Sequence, residues 1–196
     1  RCISAPQNIK KYKGADGQMK LREKTIDSEK IYDGAIIKLT LDTVICPNGA
    51  KAKREIVRHP GGVGVVPVDE DGFVYMVRQY RIPYDEIILE IPAGKLDKGE
   101  DIAVAAAREL REETGLHAKK LQFMGEFYPS VGFCDERLRM FLATGLSQGE
   151  TDPDEDEFVA VEKIHIDKLF EMIMNNEIKD GKTIAALFKA RELLRQ

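Results

Sequence analysis

The stretch AIIKLTLDTVI at 35–45 alternates apolar and polar positions, the period of an extended strand with one buried face. Ile37, Leu39, Leu41 and Thr43 share one side, and Ile36, Lys38, Thr40 and Asp42 share the other. CPNG at 46–49 predicts a hairpin turn, with Asn48 and Gly49 supplying positive φ values. KAKREIVRH then returns as a second strand. Such a unit buries little by itself, so it is expected to pack on something or to exchange with a second copy.

HPGG at 59–62 breaks the pattern and marks a domain boundary. VGVVPV and FVYMVRQYR, joined by DEDG, are apolar on both faces, as central strands are. IILEIPAG is a short strand running into a glycine loop, and LQFMGEFYP and RLRMFLATGL predict two more strands. ETDPDEDE is an acidic loop leading into FVAVEKIHI. Two C-terminal segments change to helical spacing, with Leu169, Met172 and Ile173 in one and Ile184, Leu187, Phe188 and Leu194 in the other. Strands interleaved with helices, several of them joined by short turns, predict a mixed sheet with helices on both faces.

Between the glycine loop and LQFMGEFYP lies GKLDKGEDIAVAAARELREETGL, residues 94–116. Asp97 and Gly99 before it, the acidic Glu100 and Asp101 at its start, and Gly115 at its end bracket a helix. At about 100° per residue, Glu109, Glu112 and Glu113 share one arc. Ala103, Ala107, Leu110 and Thr114 fall on another side, the expected packing face. The glutamates are awkward there. Glu109 and Glu113 are like charges at i and i+4, which costs about 0.2–0.5 kcal/mol. They also sit near the end where the helix dipole favours cations. Arg108 can pair with Glu112, which leaves two carboxylates with two readings: a solvated, charged helix end with a glycine cap, or a divalent-cation site, because magnesium takes oxygen ligands and shares them with substrate phosphates.

Bulk properties narrow the field. The 196 residues allow one ordinary domain plus an appendage. The formal net charge of -4 offers no global basic field for nucleic acid. No apolar run approaches the roughly 20 residues of a membrane helix. Cys2, Cys46 and Cys134 have no metal-ligand spacing and read as free thiols of a reducing, cytoplasmic compartment. Cys134 is a poor nucleophile, since Asp135 and Glu136 beside it disfavour the thiolate. The polar, aperiodic residues 1–18 read as an accessory or expression-derived tail before a start at Met19. Residues 19–58 form the N-terminal β unit, and residues 59–196 the main domain.

The helix segment matches G-x5-E-x7-R-E-U-x-E-E-x-G-U without gaps, through Gly94, Glu100, Arg108, Glu109, Leu110, Glu112, Glu113, Gly115 and Leu116. At roughly 5–10% usage per residue type, so many coincidences at fixed spacing do not arise by chance. The segment resembles the Nudix box, and the chain resembles a Nudix hydrolase. REIVRHPGGVGVVPV, VRQYRIPYDEIILEIPAGKL, FYPSVGFCDERLRMFLA and Pro129 resemble the ADP-ribose pyrophosphatase subfamily.

That resemblance implies an α/β/α sandwich with a mixed sheet, preceded by the small antiparallel β unit. It implies hydrolysis of ADP-ribose to AMP and ribose 5-phosphate. Other nucleoside diphosphate sugars such as GDP-mannose stand as the alternative, and a non-catalytic nucleotide-sugar sensor as a remote one. It implies two or more Mg2+ ions, with Mn2+ able to substitute, held by Glu109, Glu112, Glu113 and the Ala93 carbonyl. Arg108 would orient the glutamates, and Glu100 would hold the loop to the helix. Glu155 falls on the position of the general base and Glu157 on a neighbouring acid. Arg81 and Arg54 match substrate arginines; the plain alternative for Arg81 is a surface ion pair with Asp85 or Glu86. Tyr32 would stack on adenine, unless it is a core aromatic, and Glu136 would assist. The subfamily implies a homodimer with exchanged N-terminal strands, and no nucleic-acid or membrane partner.

Overall fold

The computed structural model describes residues 18–149 and 158–196. The chain divides into two compact units. The first comprises the described residues up to His59 together with Gly132–Cys134, and the second comprises the described remainder from Pro60.

The first unit is a three-stranded antiparallel sheet in the order β1 (Lys24–Asp33), β2 (Lys38–Ile45), β3 (Lys51–Arg58). The hairpin between β2 and β3 closes where CPNG predicts it, with hydrogen bonds from Cys46 N to Ala50 O and from Gly49 N to Cys46 O. Only Gly49 takes a positive φ, at 84°. Asn48 contributes through its side chain, which accepts the Ala50 N–H. The hydrophobic alternation of β2 misleads about burial. Asp42, on the polar side, is only 5% exposed, while Ile36 and Ile37 are exposed. Asp42 tolerates burial because Ser28 donates to it at 2.6 Å and Arg58 at 3.2 Å. The Ser28 bond is the main cause that holds the Asp42 carboxyl below its usual range. All ten residues of β1 are exposed.

The second unit holds two sheets. One is antiparallel, ordered β10 (Val159–His165), β5 (Phe73–Arg81), β6 (Glu86–Glu90). The other is mixed, ordered β7 (Ala93–Lys95), β4 (Gly62–Pro67), β9 (Leu138–Gln148), β8 (Leu116–Phe127). Its single parallel pair is β4 with β9. The strand period of two sorts β4 between two cores. Val63 and Val65 pack with Ala105, Ala106 and Leu110 of helix α1 (Ile102–Thr114). Val66 packs with Leu169 and Phe170 of α2 (Ile166–Met174) and with Ala186 and Leu187 of α3 (Gly181–Leu194). Strand β9 divides likewise, with Phe141 and Ala143 on the α1 side and Met140 and Leu142 on the other. Both faces of β4 are covered, which is why its sequence is a continuous apolar run.

Helix α1 begins on Asp101, whose side chain accepts the Ala103 and Val104 N–H groups. It ends on Gly115, whose φ of 70° turns the chain and lets its N–H reach Arg111 O. Its buried face differs from the one read from the sequence. Ala103 and Ala107 are exposed, whereas Ala105, Ala106, Leu110 and Thr114 are buried together with Glu109 and Glu113. The helix is rotated so that two of the three glutamates point into the protein. Hydrophobicity alone assigns those carboxylates to solvent, because it has no means of counting what lies opposite them.

Leu110 anchors this rotation. Its replacement by alanine is expected to lower the unfolding free energy by about 2–5 kcal/mol in urea titration. A loss well under about 1 kcal/mol would show that α1 is held mainly by its polar contacts.

Candidate functional site

The site grows from the meeting of β7 with α1. Strand β6 ends at Glu90, and the chain passes through Ile91 and Pro92 into β7, which pairs antiparallel with β4. Gly94 sits against the Glu109 carboxylate so closely that a Cβ at this position would overlap it. Glycine is therefore required by close approach, since Gly94 is not among the positive-φ residues. One turn further along α1, Glu113 accepts the Ala93 N–H at 3.0 Å. Glu109 and Glu113 are 6% and 3% exposed.

Arg108 ties the array together. Its Nη1 donates to Glu109 Oε1 at 2.8 Å and to Glu112 Oε2 at 2.9 Å. Its Nε and Nη2 meet the two oxygens of Glu100, each at 3.0 Å, and Nη2 also reaches the Lys95 carbonyl at 3.2 Å. Glu100 in turn accepts the Asp97 N–H at 3.1 Å. One planar guanidinium thus spans the loop, the strand β7 and two of the three helix glutamates. Glu100 lies just outside the helix cap and acts through this fork. The Arg108 hydrogen bonds hold the Glu100 carboxyl below its ordinary value of 4.5.

The donor set is all oxygen and mostly carboxylate, which suits magnesium, manganese or calcium over thiolate-seeking metals. Among the described residues no three His, Cys, Asp or Glu side chains converge in ligating geometry. Glu112 faces Arg108 and Arg111, the latter at 3.4 Å. The arrangement is a carboxylate array latched by an arginine, with the two buried glutamates beside the Ala93–Gly94 backbone.

Arg81, at the end of β5, does not pair with Asp85 or Glu86. Those groups receive Tyr80 Oη and Lys179 Nζ. Instead Arg81 forks onto Glu90, at 2.6 Å through Nε and 2.9 Å through Nη2. Glu90 is 3% exposed and also takes Lys182 of α3. These bonds to Glu90 are the main cause that raises the affinity of the Arg81 guanidinium for its proton, and the charge of Glu113 adds to it. Glu136 is half-buried just before β9.

Arg54 and Tyr32 belong to the first unit. Arg54, on β3, donates to both oxygens of Glu23, at 3.0 and 2.6 Å. Tyr32, on β1, is 56% exposed, so it is no core aromatic, and its ring lies over Gly34. Glu155 and Glu157 lie outside the described residues. Sequence reasoning passed over Glu90 and Lys182. The signal for Glu90 was a single charge inside the apolar run IILEIP, which a buried strand accepts only with a cationic partner.

Comparison with known proteins shows the family. A NUDIX domain model matches residues 58–187, and a nucleoside diphosphate sugar hydrolase N-terminal domain model matches residues 23–57. The chain belongs to the Nudix family, and it is a Nudix hydrolase. Nudix hydrolases generally need divalent metal ions. An ADP-ribose pyrophosphatase of Bacillus subtilis (strain 168) is 46% identical over 169 residues, 85% of this chain and 91% of that protein. A methanol dehydrogenase activator of Bacillus methanolicus is also 46% identical, over 167 residues, 84% of this chain and 90% of that protein. The crystal structure of an ADP compounds hydrolase superposes with a TM-score of 0.79 at 21% identity, covering 89% of this chain and 95% of that one. That likeness bears on the fold. No helix among the described residues is long and apolar enough to cross a membrane.

Because the Glu100 carboxyl is depressed when folded, its pairing with Arg108 stabilises the protein above the ordinary carboxylate pKa. That contribution is lost as pH falls through the folded value. Wild type and Glu100→Gln, both metal-free, should therefore differ most in urea midpoint near neutral pH. The difference should shrink as pH falls below the ordinary carboxylate value of 4.5 and vanish only below the depressed folded value. A difference that grows on acidification would contradict the assignment.

Proposed function

We propose that this chain hydrolyses the pyrophosphate bond of ADP-ribose to AMP and ribose 5-phosphate. The observation that carries the reading lies within the second unit. Arg81 grips Glu90 at the end of β6, and just beyond it in the chain the Ala93 N–H bonds Glu113 of α1. A diphosphate needs a cationic arm and an anionic metal-holding wall side by side. The substrate itself is inferred from the Bacillus subtilis relative's name.

In this reading Glu109, Glu113 and the Ala93 carbonyl hold the metal, with Glu112 beside them. Two or more magnesium ions held there, or manganese in their place, would supply the positive charge that neutralises the diphosphate and lowers the pKa of a bound water. Arg81 binds phosphoryl oxygens through its remaining donors. Arg108 keeps the carboxylates in place, and Gly94 lets the loop backbone approach Glu109. Glu155 accepts the proton of the attacking water, with Glu157 as the neighbouring acid and Glu136 assisting. The new P–O bond forms in line with the one that breaks, and one phosphate leaves on each product.

The N-terminal unit completes the site in a homodimer. Its β1 is exposed along its whole length and carries Ile26, Ile31 and Tyr32, a surface suited to a second copy. Tyr32 stacks on adenine, and Arg54 reaches the substrate by exchanging Glu23 for a phosphate. The free thiols of Cys46 and Cys134 fit a cytoplasmic setting.

The test is a panel of nucleoside diphosphate sugars, ADP-ribose and GDP-mannose among them, supplied with magnesium and a coupled phosphatase. ADP-ribose should turn over fastest. No turnover of any member by folded protein would falsify the enzymatic reading. Glu113→Gln should lose at least about a hundredfold in turnover, while its metal-free thermal stability stays near wild type. Near-normal turnover in that variant would move the metal elsewhere.

A further inference from the structure

Around Glu90 lies a cluster of charges of which the proposed reaction uses only Arg81. The Glu90 carboxylate lies at the end of β6 and receives the Arg81 fork on one side and Lys182 on the other. Lys182, nearly buried itself, also holds Asp180 Oδ2 at 3.0 Å. Asp180 caps α3, accepting the Thr183 N–H at 3.0 Å and the Thr183 hydroxyl at 2.6 Å. Thr183 Oγ1 then accepts the Ile91 N–H at 2.9 Å, inside the short link that leads to Ala93. The first turn of α3 is thereby bonded both to the carboxylate that grips Arg81 and to the backbone before β7.

Two features make this more than a structural clamp. Arg81 spends Nε and Nη2 on Glu90, and its Nη1 makes no hydrogen bond to any described residue. The guanidinium is thus held by one edge with another presented. Charge balance is the second feature. Arg81 and Lys182 offset Glu90 and Asp180, so the cluster is neutral with Lys182 in place. Without Lys182, Arg81 alone would face Glu90 and Asp180 on top of the charge of Glu113, and the field reaching an incoming anion would turn more negative.

We infer that Lys182 is a positioning residue for anionic substrate. By sharing Glu90 with Arg81, it leaves the guanidinium's charge available to a diphosphate while fixing its orientation. This rests on the reading of Arg81 as a substrate arginine.

Lys182→Met should raise KM for ADP-ribose roughly tenfold, the size of one unit charge acting across several ångström of protein. The kcat should stay within about twofold, because the lost interaction serves ground and transition states alike. Lys182→Arg should keep KM near wild type. Adding Glu90→Gln to Lys182→Met restores neutrality and should recover part of the lost affinity, a coupling a double-mutant cycle reads directly. Lys182→Gln is the second neutral variant if the methionine variant does not fold, and thermal unfolding is recorded for each. A fall in kcat and stability without a KM change, or a double variant no better than the single, would overturn the inference. Arg81→Ala separates the two levels. If it raises KM while neutral Lys182 variants do not, this inference fails alone. If Arg81→Ala leaves KM unchanged, the assignment of Arg81 fails and this inference falls with it.

Discussion

The site depends on one guanidinium that keeps several carboxylates together. Arg108 touches Glu100, Glu109 and Glu112, and its partners lie in a loop and on two turns of α1. Without it the helix would carry like charges at i and i+4 near its negative end, partly out of water. Burial makes such repulsion more costly than it is on an exposed helix, because the protein screens charge less than water does. The arginine does not remove the anionic character of the array. It offsets part of the charge and fixes the geometry, so the remaining negative potential stays concentrated beside Ala93 and Gly94.

The same principle recurs a short way along the chain. Glu90 is also a buried carboxylate, and it too is satisfied by a planar arginine fork and a second cation. The two clusters have different consequences. Around Arg108 anions outnumber cations, which suits a metal. Around Glu90 two carboxylates, Glu90 and Asp180, are offset by Arg81 and Lys182, the arrangement on which the proposed role of Arg81 rests. Both sit at the ends of β6 and β7, and only the short link through Ile91 and Pro92 separates them in sequence. Thr183 bonds to the backbone within that link, at Ile91, and Glu113 to the backbone just after it, at Ala93.

Much of the fold was legible in the sequence. The apolar run of β4, the Asn-Gly hairpin and the glycine-capped helix all carry local signals, because strand period, turn conformation and helix capping act over a few residues. The fixed spacing from Gly94 to Leu116 was legible for a related reason. A helix converts sequence separation into direction, so Glu109, Glu112 and Glu113 had to share an arc.

What the sequence determined by itself was therefore most of the elements, the family and the acidic arc, while the glycine loop after IILEIP proved to be a further strand, β7. Only the tertiary structure decided which way that arc faces. Ala105 and Ala106 are no more apolar than Ala103 and Ala107, so hydrophobicity could not rank the two faces. The choice came from what stands opposite: a glycine with no side chain at 94, a backbone N–H at 93 and a guanidinium at 108. The partner of Arg81 was decided in the same way. Its nearest acids in sequence, Asp85 and Glu86, lie across the turn from it. The antiparallel register sets Arg81 opposite Glu86, yet its side chain runs along the sheet to Glu90, where α3 brings Lys182. Charges find partners through space, and a buried carboxylate discloses its partner only when the strands and helices that enclose it are assembled.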